Sequence, residues 1–137
     1  MGTRAKLVLS VFVALLVCLG IGYVWGTSGR SAAEAMLDDV RQQLDLAQAR
    51  GLVLEARVSL YNNNFGDASH HLEDAKEPLR RVGERYRQAG ERAPASRIEA
   101  ALKDVEEAQR LAGKLDPSAN ARAGAALDAI ALATSKS

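Results

Sequence analysis

The sequence predicts an all-α chain: a single N-terminal transmembrane helix followed by a small antiparallel bundle of about four helices. Three observations carry that expectation. Leu7 to Gly26, LVLSVFVALLVCLGIGYVWG, holds 20 residues without a charge, and at ~1.5 Å rise per residue a helix of that length spans roughly 30 Å, the hydrocarbon thickness of a bilayer. Beyond it, alanine supplies 23 of the remaining 111 residues while aromatics, Pro and Gly are sparse, a composition that favours helix. No run shows the period-2 alternation of β-branched residues that marks a strand.

The apolar stretch is too long for the ~7–15-residue core of a cleaved signal peptide. It ends in Tyr23 and Trp25, whose rings suit the headgroup belt. Cys18 lies inside the core behind Val17, which excludes a lipoprotein site. Leu7, Phe12, Leu16, Ile21, Tyr23 and Trp25 are therefore the expected anchor residues. The small residues Gly26, Ser28 and Gly29 keep cleavage as the alternative. Arg4 and Lys6 precede the stretch, whereas Glu34, Asp38 and Asp39 follow it. The positive-inside rule then places the N-terminus in the cytoplasm of an inner-membrane protein and the rest in the periplasm or outside. The expected organisation is a basic N-terminus at 1–6, the anchor at 7–26, a linker at 27–30, a helical domain at 31–133 and a frayed end at 134–137.

The exported part is nearly neutral, with 16 basic against 17 acidic residues once Arg4 and Lys6 are set aside. It has no broad electrostatic claim on nucleic acid. With one cysteine in the chain, an intrachain disulfide is excluded.

The first exported helix is expected to open at Ser31-Ala-Ala-Glu34, which has capping-box spacing. From there Leu37, Val40, Leu44, Ala47, Gly51, Leu54, Val58 and Tyr61 alternate at intervals of three and four, a heptad seam that predicts lengthwise packing on another helix. A second stripe, Leu46, Val53 and Leu60, lies well away around the same helix, so the helix is expected to pack on two faces. Gly51 reads either as a close approach of a neighbouring backbone or as a joint. Asn62-Asn63-Asn64 is the clearest turn. A second seam follows at Phe65, Ala68, Leu72, Ala75, Leu79, Val82 and Tyr86, and two matched seams predict a hairpin. Pro78 falls in phase with that seam and predicts a kink without a stop. Gly90 to Pro94 reads as a loop, with Ser96-Arg-Ile-Glu99 as a second capping box. A third helix carries Ile98, Ala101, Val105, Ala108, Ala112 and Leu115. Asp116-Pro117 opens a final helix with Ala119, Ala123, Ala126, Ile130 and Ala133.

Phe65-Gly-Asp-Ala68-Ser-His-His-Leu72-Glu-Asp-Ala75 resembles the second helix of a tetratricopeptide repeat, with Leu52, Ala56 and Leu60 as its first helix. The resemblance covers residues 52–79, without the family's tryptophan and with its proline early. It implies a concave surface for a protein or peptide, though such repeats need about three copies to bury a continuous core.

Chemistry is sparse. Asp67, His70, His71 and Asp74 stand at i, i+3, i+4 and i+7, so one helix side gathers imidazoles and carboxylates that suit a divalent metal such as zinc. The bland reading is a solvated face with local pairing. No phosphate loop, nucleophile elbow or HExxH pair is present, which argues against an enzyme. Arg80, Arg81, Arg85 and Arg87 are interleaved with Glu77, Glu84 and Glu91 and read as solvated surface. No cofactor beyond that possible metal is expected. The sequence points to a membrane-anchored scaffold or adaptor that holds a protein partner or a second copy through Leu46, Val53 and Leu60 or through the Leu37–Tyr61 seam. Its alternative is a metal-binding envelope protein.

Overall fold

The computed structural model describes residues 3–135, with side chains described at 13–18 and 32–135. Among the described residues there are four helices and no strand: α1 (Thr3–Tyr61), α2 (Phe65–Gln88), α3 (Arg92–Ala112) and α4 (Ala119–Thr134). The chain divides into two compact units, Met1–Val40 and Arg41–Ser137.

The first unit contains only α1. Among the described residues, no helix is long and apolar enough to cross a membrane. Of the expected anchor residues, Leu16 is 56% exposed. The side chains of Leu7, Phe12, Ile21, Tyr23 and Trp25 lie outside the described residues. The backbone is helical through 27–30 and past Ser31, so the expected helix start at the first capping box is corrected to helix interior. A helix already propagating adds one hydrogen bond per residue fixed, and nothing between Thr27 and Arg30 has the fixed ring that would stop it.

In the second unit, α1 from Arg41 onward packs antiparallel to α2, as Asp45 meets Arg81 and Arg85 near one end and Glu55 meets His71 near the other. α3 lies antiparallel to α2, with Gln109 on Glu73 and Arg80 beside Glu106. α4 is antiparallel to α3, with Arg122 beside Asp104 and Arg97 donating to the Leu132 carbonyl. It also returns to α1, where Arg57 Nε donates to Asn120 Oδ1 at 2.8 Å. That return closes an up-down-up-down bundle. Residues 52–79 run antiparallel across the α1–α2 turn, and with α4 back against α1 the helices enclose one core and do not stack into an open superhelix.

The core is built from residues three and four apart on each helix. α1 supplies Leu46, Ala49, Val53, Ala56 and Leu60; α2 supplies Ala68, Leu72, Ala75, Leu79, Val82 and Tyr86. α3 adds Ile98, Ala101, Val105, Ala108 and Ala112, and α4 adds Ala119, Ala123, Ala126, Ile130 and Ala133. Alanine buries little area per residue, so it stabilises mainly by letting helices approach closely. A Cβ added at Gly83 would stand 3.4 Å from Ile98 Cγ2, one such approach. Pro78 is buried within α2, and the helix runs through it.

Three helices end in the same way. Asn64 N donates to Ser59 O and Asn63 N to Leu60 O; the pattern repeats at Glu91 and Gly90, and again at Asp116 and Leu115. These are Schellman motifs, and their left-handed residues are Asn63 (φ 57°), Gly90 (φ 76°) and Leu115 (φ 57°). Leu115 is therefore not part of the α3 apolar face; it closes that helix and is 68% exposed.

α3 begins at Arg92, with Glu91 as its cap position and Pro94 in the first turn. Proline fits there because the first N–H groups lack helical partners anyway. The expected loop is thus shorter, and Ser96 lies inside the helix. The expected opening of the last helix at Asp116-Pro117 is corrected: α4 begins at Ala119 with Ser118 at its cap position, and Pro117 lies in the turn before it, which Asp116 closes by accepting from Ser118 N at 2.9 Å and Ser118 Oγ at 2.7 Å. Asn64 caps α2, its Oδ1 accepting from Asp67 N at 3.3 Å.

The face α1 uses is the main correction. The expected hairpin seam is open: Leu44 is 66%, Leu54 44%, Val58 62% and Tyr61 82% exposed. Leu46, Val53 and Leu60, expected as a docking stripe, are 8%, 0% and 6% exposed and belong to the bundle core. At ~100° per residue the two stripes lie roughly 150° apart, nearly opposite. The buried stripe includes Ala49 and Ala56, which admit close neighbours, and it is flanked by Asp45 and Arg57, whose partners stand on α2 and α4. Among the described residues, nothing outside its own helix turn lies within 4 Å of a Cβ built on Gly51, so no neighbouring backbone approaches it.

Candidate functional site

The feature that stands out in the second unit is this open seam. Leu44, Ala47, Gly51, Leu54, Val58 and Tyr61 occupy the two apolar positions of a heptad, and all but the half-exposed Gly51 are exposed. Scattered single apolar residues on a surface are ordinary, but a contiguous apolar row is not. The row is flanked on one side by Gln48 and Glu55 and on the other by Gln43, Arg50 and Arg57.

Behind the seam, a charged clamp sets the position of α1 on α2. Asp45 is the one buried charged residue among those described, at 7% exposure. Its Oδ1 accepts from Arg81 Nη2 at 2.7 Å and Nε at 3.2 Å, and its Oδ2 from Arg85 Nη1 at 2.5 Å. The hydrogen bonding from Arg81, joined by that from Arg85, outweighs burial and holds the carboxyl below its usual range. The same contact raises Arg81. Half of the supposed solvated arginine cluster is therefore structural. The signal available in the sequence was an i, i+4 arginine pair together with an aspartate adjoining an apolar stripe.

A second polar tie joins α2 to α3. Lys76 pairs with Glu73 and donates to Gln109 Oε1 at 3.0 Å, while Gln109 Nε2 donates to Glu73 Oε2 at 2.7 Å. The hydrogen bond from Lys76, then that from Gln109, lowers Glu73. Glu107 pairs with Arg110 at 2.6 Å.

The Asp/His face does not converge. His70 Nε2 is 3.9 Å from Asp74 Oδ2, His71 Nδ1 points to Glu55 of α1 at 3.4 Å, and Asp67 joins Asn64 at the helix start. Among the described residues no group of three or more potential ligands is placed to hold a metal ion. Two adjoining surface recesses between α3 and α4, of about 450 and 370 Å³, are walled partly by Glu107, Arg110, Asp104 and Arg122. Those charges already pair with one another, Arg110 with Glu107 and Arg122 with Asp104.

Comparison of the chain with protein-family models, with curated proteins and with solved structures found no match.

Proposed function

We propose that the chain is a membrane-anchored helical scaffold or adaptor that associates with another helix through the outward face of α1. The observation that carries this reading is the seam itself: four large side chains at 44–82% exposure in one heptad row, opposite the face that packs on α2 and α4. A two-stranded coiled coil buries such a row. The anchor part rests on the uncharged run Leu7 to Gly26, and the orientation on Arg4 and Lys6, which assign the N-terminus to the cytoplasm and residues 31–133 to the periplasmic side. In this reading the protein is not an enzyme and has no cofactor; its partners are the lipid bilayer and a protein helix, not nucleic acid. The bundle holds one face of α1 beyond Arg41 and leaves the seam on the other face to the partner.

The test is chemical cross-linking of the full chain in native membranes, with and without Leu54→Asp plus Val58→Asp. Adducts that disappear in the variant, at unchanged helicity and membrane retention, support the reading. Adducts that persist, or a chain extracted at alkaline pH without detergent, refute it.

A further inference from the structure

We infer that the seam of α1 is occupied by a second copy of this chain, parallel and in register. The inference rests on the scaffold reading above and names its partner. In the heptad register, Leu44, Gly51 and Val58 fall at one apolar position and Ala47, Leu54 and Tyr61 at the other. A parallel pair sets each of these against its own counterpart, and each flanking residue on one side faces the residue five places on in the other copy. Gln43 then faces Gln48 and Arg50 faces Glu55, while Arg57 is turned to Asn120 of α4, so one opposite-charge pair forms twice by symmetry and no like charges meet. An antiparallel alignment over the full seam sets Arg50 of one copy against Arg50 or Arg57 of the other. Charge complementarity therefore selects the parallel pair.

The arrangement is two-fold, so one surface recognises itself and both bundles stay outside the joint, on the faces carrying Leu46, Val53 and Leu60. Neither flank is withdrawn from the surface: Arg50 is exposed and the Glu55 side chain is 61% exposed, its neighbour being His71 at 3.4 Å. Within the first unit, Leu37 and Val40 hold the same heptad positions in sequence and are 54% and 55% exposed.

Area bears on where the pair forms. The large seam side chains of the second unit leave on the order of 100 Å² open each, which falls short of the roughly 800 Å² per partner of a standard interface. Such a joint is weak between freely diffusing molecules. Two copies held in one bilayer meet at high effective concentration, which makes the second event nearly intramolecular.

The test uses the full chain carrying Cys18→Ser, reconstituted alone into phosphatidylcholine vesicles, with one cysteine introduced at Leu44, Leu54 or Val58 and copper-phenanthroline as oxidant. The expected result is a disulfide-linked dimer at each of the three positions and none for a cysteine at Gln88, which is exposed at the far end of α2. Arg50→Glu is expected to lower the yield severalfold, and Arg50→Glu with Glu55→Arg to restore it. Linkage only when Leu44→Cys is combined with Tyr61→Cys would overturn the parallel register. No linkage at any seam position would overturn the second copy. In that case, native-membrane adducts to a different protein that vanish in the seam variant would leave the scaffold reading standing, and their absence would remove both.

Discussion

Asp45 offers an asymmetric prediction about how α1 is fastened to α2. Its side chain is 10% exposed and accepts three hydrogen bonds from Arg81 and Arg85, whose own side chains are 40% and 26% exposed. Asp45→Ala frees two arginines that can turn to water. Charge-assisted hydrogen bonds contribute about 1.5–3 kcal/mol each in protected sites, and discounting for the open arginine side chains leaves a loss of about 1–2 kcal/mol. Arg81→Ala with Arg85→Ala instead leaves a buried carboxylate without a donor, a change that costs about 3–5 kcal/mol. Removing the two cations should therefore cost about twice as much as removing the anion.

Acid separates the variants further. In the parent the folded Asp45 carboxyl titrates below its unfolded value of about 4, so its stabilisation is complete above that pH and is lost as pH falls through the folded value. In the double arginine variant the unpaired carboxyl is raised, so protonation relieves it and stability recovers from pH 6 towards pH 4. Urea titration of the full chain in mild detergent, followed by circular dichroism at several pH values, measures all of this. A larger loss for Asp45→Ala than for the double arginine variant, or parallel pH profiles for the two, would refute the clamp.

Leu115→Gly should stabilise the chain by up to about 1 kcal/mol, because Leu115 holds a left-handed backbone at the end of α3 while its side chain is 68% exposed; thermal denaturation reads the gain. Neighbouring residues on α1 should respond in opposite ways: Val53→Asn, at 0% exposure, should cost about 3 kcal/mol or more, whereas Leu54→Asn, at 44%, should cost under about 1 kcal/mol while weakening association. Zinc titration followed by calorimetry should give the same uptake with and without His70→Ala plus His71→Ala, since the two imidazoles address Asp74 and Glu55 separately; uptake removed by that pair would support the metal reading instead.

Much of the architecture is local and was legible as such. The 3-and-4 spacing of Ala68 to Tyr86, Ile98 to Ala112 and Ala119 to Ala133 names the buried face of α2, α3 and α4, since each of those helices has one apolar stripe and burial has no alternative. The Asn62-Asn63-Asn64 turn and the turn at Asp116 are equally local, because short polar side chains satisfy the backbone groups beside them. The continuation of α1 past Ser31 was hidden: a capping box scores a helix start, but a helix already under way needs none.

α1 marks the boundary of what one dimension determines. It carries two apolar stripes with the same spacing, and periodicity cannot rank them. The tertiary structure buries Leu46, Val53 and Leu60 on the face that also carries the small, fully buried Ala49 and Ala56, where Asp45 and Arg57 reach partners on α2 and α4. The partners of Asp45 lie 36 and 40 residues away and those of Arg57 lie 63 residues away, distances over which sequence spacing says nothing about contact. Sequence by itself determined that the chain is helical and where most of its turns fall. Only the packing of four helices decided which side of α1 is core and which is left open.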